Sequence, residues 1–308
     1  MLKTYRVKAR LELSSSFKLK GYPGLILKKC LLKSLRRFVC KAQLECDSCG
    51  SRDVCAYVAL AAPGVKVKPF VIEPLLLSKR RKALIFDVKV FGKALAYEYQ
   101  LIASILNMRM PGADVMVERI KCYDVVTGEV MKVFDMHQGY MSSPRLHRKG
   151  DLLKFYMNKA KNMLLNRQFT ITLTFKTPTR IIIDDRPYFT PPLKALISLL
   201  IDRYRTLARM YDVGSEPQED NVNEALKAID ESSTIALCNT KRITLTMRSR
   251  GEIKSISFMI GSATYSLNPP RDLKGLQLAI AMLLMGELIH VGEMASAGCG
   301  KYRVELAY

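Results

Sequence analysis

The chain has 308 residues, 49% of them hydrophobic, and carries 49 Lys and Arg against 28 Asp and Glu, a net charge of +21. That apolar fraction supplies about two cores and excludes a disordered or low-complexity chain. The charge excludes a neutral surface and favours a polyanionic partner, because neutralising phosphates releases counterions; a thermophile's surface would raise both signs and does not explain a bias toward one.

No apolar run is long enough to cross a bilayer, and Met1–Leu13 alternates charged and apolar residues instead of forming the apolar run of a signal peptide. The expectation is a cytoplasmic protein with no membrane partner. The charge is uneven: Met1–Cys40 holds eleven Lys or Arg and one acid, Glu12, whereas Asp212–Glu231 holds seven acids and one lysine, Lys227.

In chain order, Tyr5, Val7, Ala9, Leu11 and Leu13 alternate with Arg6, Lys8, Arg10 and Glu12, the period of a half-buried strand with a basic outer face. After Ser14-Ser15-Ser16, Tyr22-Pro23-Gly24 opens a helix with Leu27, Leu31, Leu35 and Phe38 on its apolar stripe and Lys29, Lys33, Arg36 and Arg37 elsewhere. Strands over 70–73 and 84–91, a helix over 94–107, and a hairpin of 115–123 with 130–134 across Thr127-Gly128 follow. The polar connector Gly139–Gly150 sets the boundary, giving domains at residues 1–150 and 151–308.

The second half reads as a helix over 151–165, a strand over 169–176, a helix over 192–211, and an acidic helix over 221–230. A hairpin of 242–247 with 253–260, a helix over 273–285, and a terminal hairpin of 288–291 with 302–306 complete it. Mixed elements with hairpins inside each half predict an α+β chain of two tandem ferredoxin-like, RRM-like domains.

Four thiols interrupt the first half. Cys40, Cys46, Cys49 and Cys55 form C-x5-C-x2-C-x5-C, a four-cysteine insertion at 40–55 with a central Cys-x-x-Cys knuckle. Four soft ligands in a short loop suit one tetrahedral ion: a structural zinc, with an iron–sulfur cluster second and two disulfides as the competing reading. Cys30, Cys122, Cys238 and Cys299 lie in periodic segments and read as core thiols.

The terminal loop carries Gly292, Gly298 and Gly300. Glycine tolerates positive φ and lets a ligand approach main-chain amides, although a tight turn needs the same freedom. Ser296 and Lys301 flank these glycines as phosphate-contacting candidates. A second basic element is the hairpin around Arg250-Gly251, where Arg242, Arg248, Arg250 and Lys254 form an arm suited to an RNA backbone. Of three histidines, His137 and His147 lie in or near the connector and His290 enters the glycine loop; His137, on a mobile connector, is the best acid–base candidate of the three.

The run Val291-Gly-Glu-Met-Ala-Ser-Ala-Gly-Cys-Gly-Lys301 resembles the glycine-rich signature of the RAMP superfamily. The basic helix running into clustered cysteines, the strand Pro69-Phe70-Val71-Ile72, and the segment Thr174–Ile181 followed by a helix with Arg203 agree in order. Together they are similar to the CRISPR-associated endoribonucleases that cut precursor repeat RNA into guide RNAs. The resemblance implies metal-independent cleavage, with no cofactor needed for catalysis: a 2′-hydroxyl attacks the adjacent phosphate, leaving a cyclic 2′,3′-phosphate and a 5′-hydroxyl. It implies CRISPR repeat RNA as partner, and a CRISPR effector complex as a further one.

Many members place a histidine base near the first helix, and none lies there in this chain. The polar residues at that place are Tyr22, Lys28, Lys29 and Lys33, of which Lys28 or Lys29 is expected to stabilise charge and Lys33 to bind RNA. The alternative function is a non-catalytic RNA-binding RAMP subunit of an effector complex; a metal-cluster enzyme is a distant third.

Overall fold

The alternation at the amino-terminal end becomes strand β1 (Leu2–Leu13), with Tyr5, Val7, Ala9 and Leu11 buried and Arg6, Lys8 and Arg10 exposed. The structure is a computed structural model and describes residues 2–13, 21–40, 46–78, 82–142, 151–164, 168–249, 252–268 and 273–308. Contacts divide the chain into two units, Met1–Lys149 with Tyr211–Val213, and Gly150–Met210 with Gly214–Tyr308.

In the first unit, β1 lies between β3 (Ala83–Phe91) and β5 (Ala113–Asp124), antiparallel to both. Outside β3 runs β2 (Phe70–Ser78); beyond β5 come β6 (Val130–Asp135) and β7 (Tyr140–Met141), while the short β4 (Arg109–Met110) also pairs with β5. The order is β2-β3-β1-β5-β6-β7. Helix α1 (Pro23–Val39) starts with proline in its first turn, where a missing N–H costs nothing. It contributes Leu27, Leu31 and Leu35 to the core; Leu101, Ile102 and Ile105 of α3 (Glu98–Leu106) join them against Tyr5, Val7, Phe86 and Val88 of the sheet. The six-residue α2 (Ala56–Ala61) lies between α1 and β2 in the chain.

Two expectations change here. Phe38 is 53% exposed, because the buried stripe of α1 ends at Leu35, a turn before the helix does. The helix expected over 94–107 opens as a 3-10 segment, Gly92–Tyr97, and becomes α-helical at Glu98. Glu98 is anchored there by Lys3 Nζ at 2.8 Å and Tyr5 Oη at 2.6 Å, both bonds buried.

In the second unit, α4 (Leu152–Met163) is capped by Asp151, whose carboxylate accepts from the Lys154 amide. Then follow β8 (Phe169–Thr179), a small hairpin of β9 (Ile181–Ile183) and β10 (Arg186–Tyr188), α5 (Leu193–Tyr211), and α6 (Glu219–Ser232). Strands β11 (Ser233–Ser249) and β12 (Glu252–Leu267), helix α7 (Lys274–Ile289), and β13 (Tyr302–Ala307) complete it. The sheet runs β11-β12-β8-β13, with every neighbouring pair antiparallel. Helix α7 is buried on nearly all sides, as a core helix apolar all round must be.

The hairpin is longer than expected, its ladder running from Ser233↔Leu267 to Ser249↔Glu252. Strand β8 accompanies β12 only over Met259–Leu267. From Ile243↔Phe258 outward the two strands form a ribbon paired only to itself, about 20 Å long at the usual rise. The terminal hairpin expected from 288–291 is absent: Leu288 and Ile289 finish α7, and the glycine loop joins a helix to a strand. An apolar run of four fits a buried helix end as well as a strand. Among the described residues, no helix is long and apolar enough to cross a membrane.

Candidate functional site

The glycine loop is held by main-chain bonds. Gly292 has φ +77°, and a Cβ there would lie 2.2 Å from the Arg180 carbonyl oxygen; at Gly300, with φ +74°, it would lie 1.8 Å from that of Val291. Both positions therefore require glycine. The Val291 amide donates to Gly300 O (3.0 Å), Glu293 to Arg180 O (3.0 Å), Gly298 to Ala295 O (2.9 Å) and Gly300 to Pro178 O (3.0 Å). Lys301 is tied to β8 from both sides: its amide donates to Thr177 Oγ1 at 2.9 Å, and its carbonyl accepts from the Lys176 amide at 2.8 Å.

Ser296 is buried rather than presented to a ligand. The amides of Gly298 and Gly300 are thus spent inside the protein, and these glycines shape the loop. Its surface cations are side chains instead.

Two arginines brace the loop's entrance. Arg180 Nη1 meets the Glu293 carboxylate at 2.7 Å, and Arg203 Nε donates to Ile289 O at 2.7 Å, capping the carbonyl end of α7. Burial lowers the Arg203 pKa to about 10. Its Nη2, like Arg180 Nε, is enclosed without a hydrogen-bond partner.

His290 is fully buried and not in a strand. It caps α7 with φ +63° and ψ 160°, a region costly for any residue but glycine, and its Nδ1 donates to Cys299 O at 3.0 Å. A clasp of this kind fixes the loop's exit angle from the helix. The bracing roles of Arg180 and Glu293 had no signal in the sequence, because the partners are distant along the chain.

Helix α1 presents the basic candidates. Tyr22 is its half-buried N-cap, Lys28 is half-buried, and Lys29, Lys33, Arg36 and Arg37 are exposed. The last four recur at spacings of three, four and seven, so they share one side of the helix, which contains no acid. Arg36 also stacks over the Tyr57 ring at 5.6 Å. Burial pushes the Cys30 thiol's pKa up, against the pull of Lys29 and Lys33 beside it.

His137 is exposed in the turn Met136–Gln138, with its amide donating to Asp135 Oδ1 at 3.2 Å. Asp135 is buried and held by Arg119 at 3.0 Å. Nearby, Glu118 takes Lys8 at 2.9 Å and Arg10 at 3.4 Å; chiefly the Lys8 bond, with help from Arg10 and His137, holds its carboxyl below the usual range. Lys8 and Arg10 project from β1 opposite to the Tyr5–Leu11 stripe on which α1 packs. The structure therefore does not bring His137 together with Tyr22, Lys28 and Lys29.

On the ribbon, Arg242 is exposed, donates to Ser257 Oγ at 2.8 Å and covers the Phe189 ring at 5.1 Å. Lys254 is exposed beside Glu252 at 3.2 Å, and Arg248 pairs with Ile253 through the backbone ladder. Arg250 and His147 lie outside the described residues.

The four insertion cysteines are half-buried free thiols. Cys40 caps the end of α1, Cys46 opens the turn Cys46–Ser48, Cys49 follows it and Cys55 caps the start of α2, and among the described residues no group of three or more His, Cys, Asp or Glu is gathered to hold a metal. Cys30, Cys122 and Cys299 are buried as expected; Cys238 is only half-buried and contacts Thr190 Oγ1 at 3.2 Å, because it lies on an outer strand.

Residues 173–302, from β8 to the end of the glycine loop, match the family model described as CRISPR-associated endoribonuclease Cas6. That segment is similar to the Cas6 endoribonuclease family. A second model, described as an N-terminal domain, matches residues 2–145. No curated protein matches the chain by sequence.

Among solved structures, a Cas6 product complex aligns over 99% of this chain and all of its own, at 13% identity and a TM-score of 0.63. Thermus thermophilus Cas6 aligns over 99% of this chain and 98% of its own, at 14% identity and a TM-score of 0.58. A partial Cas6-RT-Cas1–Cas2 complex aligns over 99% of this chain and 46% of its own, at 14% identity and a TM-score of 0.54. At these identities the structures speak for the fold: a mixed α+β chain with the tandem organisation of Cas6.

Proposed function

We propose that this chain is an endoribonuclease that cuts CRISPR precursor repeat RNA into guide RNAs. The observation that carries this is the Cas6 match over residues 173–302, which ends where the clasped glycine loop enters β13. The net charge of +21 and the acid-free outer side of α1 support a polyanionic substrate.

The reaction needs no metal in this reading. A base takes the proton of the 2′-hydroxyl, the oxygen attacks phosphorus, and the bond to the 5′-oxygen breaks as that oxygen is protonated. Lys28 and Lys29 stabilise the negative charge gathering on phosphate, and Tyr22 at the helix start is within the same group of candidates. His137, on the other side of the sheet, is an alternative base and not a partner of these residues. Lys33, Arg242, Arg248, Arg250, Lys254 and Lys301 are the RNA-backbone contacts, with Gly292, Ser296, Gly298 and Gly300 shaping the loop that positions Lys301.

Each half, residues 1–150 and 151–308, is read as a ferredoxin-like domain. The antiparallel orders β2-β3-β1-β5 and β11-β12-β8-β13, each with a helix after its first and third strands, support this. Work in the cytoplasm, within or beside a CRISPR effector complex, completes the reading. The cysteine spacing supports a structural zinc, with an iron–sulfur cluster second, and no catalytic step runs through it.

Incubating the protein with end-labelled repeat RNA in EDTA tests the proposal. A discrete product ending in a cyclic phosphate is expected. Binding without cleavage would sink it in favour of a non-catalytic RNA-binding subunit.

A further inference from the structure

Three helices of the second unit do not close on one another completely. Between α4, α6 and α7 lies a cavity of about 360 Å³, with Leu153 and Met157 of α4, Leu278 of α7 and Pro217 of the turn before α6 on its apolar side. Its walls are braced. Gln277 Nε2 donates to Met157 O at 3.0 Å, joining α7 to α4, and the Ser215 hydroxyl donates to Asp151 at 2.6 Å, joining the turn to the start of α4. Helices α6 and α7 meet too closely at Gly275 for a side chain, since a Cβ there would lie 2.8 Å from Glu224 O. A largely apolar hollow with walls held in this way is already formed, so filling it costs little ordering.

The rim is acidic. Asn221 and Glu224 border the hollow on α6, Glu216 on the turn and Lys274 on α7. Glu216 is engaged by Arg209 at 2.8 Å, whereas Glu224 is exposed and has no ion pair among the described residues. Exposed Asp220 and Glu231 stand four residues before Glu224 and seven after it, so the three carboxylates share one side of α6 over about 16 Å. Lys227 lies along the same helix and reaches Glu231 only at 3.9 Å.

In a chain of net charge +21, this face repels phosphate and attracts cations. A nucleic acid is therefore disfavoured here, and a bare cation gains nothing from the apolar side of the hollow. A protein segment with one apolar side chain set between lysines or arginines satisfies both. The basic remainder of the surface repels such a segment, so complementary charge steers it to this groove.

We propose that the groove between α4, α6 and α7 docks a Lys- and Arg-rich segment of a partner protein, an apolar side chain filling the hollow and the cations lying along α6. Fluorescence anisotropy of short labelled synthetic peptides on the RNA-free full chain tests it. The probes carry Leu, Met or Phe between Lys and Arg; the comparison sets have Ser at the centre, or Glu in place of every cation. The apolar-centred basic peptides are expected to bind at least about tenfold more tightly than either set, as burial of one large apolar side chain implies. Glu224→Arg should weaken them on the order of tenfold, since it replaces an attraction by a repulsion. Asn221→Trp, which fills the groove from its exposed rim, should abolish binding, with far-UV circular dichroism showing that both variants are folded.

No binding by any basic peptide, or binding that both variants leave unchanged, overturns the proposal. Equal binding of the Ser-centred set, or displacement by equimolar spermidine, does so too, by showing that the acids collect cations without regard to the hollow. A change of oligomeric state in Asn221→Trp, read by sedimentation velocity, would give the groove to a second copy instead.

Discussion

Both sheets carry four strands in the same relative order, β2-β3-β1-β5 in the first unit and β11-β12-β8-β13 in the second, yet the two units treat charge and backbone in opposite ways. The first buries ion pairs within its sheet and helix layer, Lys3–Glu98 at 2.8 Å and Lys89–Glu73 at 2.9 Å, and leaves the cations of α1 in solvent. The second spends main-chain bonds and tightly fitted glycines on one loop between α7 and β13. Shape is thus set by backbone in one unit, and charge is supplied by side chains in the other. Damage to the first kind of feature should cost folding; damage to the exposed cations should cost binding while the fold survives.

The largest expected effect is at Gly300. An alanine Cβ there would lie 1.8 Å from Val291 O at a φ of +74°, so either the loop or the adjoining strand must move. Gly300→Ala should cost at least about 4 kcal/mol, a value reserved for strain or burial that cannot relax. Urea denaturation checks it, and a variant within about 1 kcal/mol of wild type would show that the loop is not a clasp.

Glu98→Gln should come next in the first unit, because it leaves Lys3, 2% exposed, as a buried cation without its carboxylate. A loss of about 3 kcal/mol is expected. The paired change of Lys3→Met with Glu98→Leu should recover most of it, which separates a buried-charge cost from simple loss of packing. The double substitution Lys29→Ala with Lys33→Ala tests the opposite arm of the comparison. Stability should stay within about 0.5 kcal/mol, while the slope of log affinity for repeat RNA against log salt should flatten by about 1.4, at about 0.7 per lost contact with a single strand. An unchanged slope would remove α1 from the RNA interface.

The contrast also explains what the sequence could and could not tell. Strand β1 and helix α1 were legible because their apolar residues follow periods of two and about 3.6, and each buries one side. The end of α7 was not: a helix buried all round loses its period, so Leu288 and Ile289 looked like a strand. The glycines signalled special backbone, but not that Arg180 and Val291 supply the carbonyls they must clear. His137 and the α1 lysines are all candidates in the sequence because spacing does not say which side of β1 each serves. The cysteine spacing was plain, whereas convergence of four thiols depends on how the intervening turns fold.

The smallest expected effect falls on Asp151, at the start of the second unit. Burial works against its ionisation, but the Ser215 hydroxyl at 2.6 Å, the amides of Lys154 and Ser215 at 3.2 Å each, and the Leu153 amide together hold its carboxyl below the usual range. A carboxyl depressed by folding contributes stability that is fully present above its unfolded pKa, about 3.9, and is lost as pH falls through the lower folded value. Asp151→Asn keeps a capping oxygen and loses the charge, so the cost near neutral pH should be about 0.5–1 kcal/mol. Measured by thermal unfolding, the gap between the two proteins should hold from neutral pH down to about 5 and close below about 4. A gap that stays constant into acid would mean that the hydrogen bonds, and not the charge, make this joint between α4 and the turn before α6.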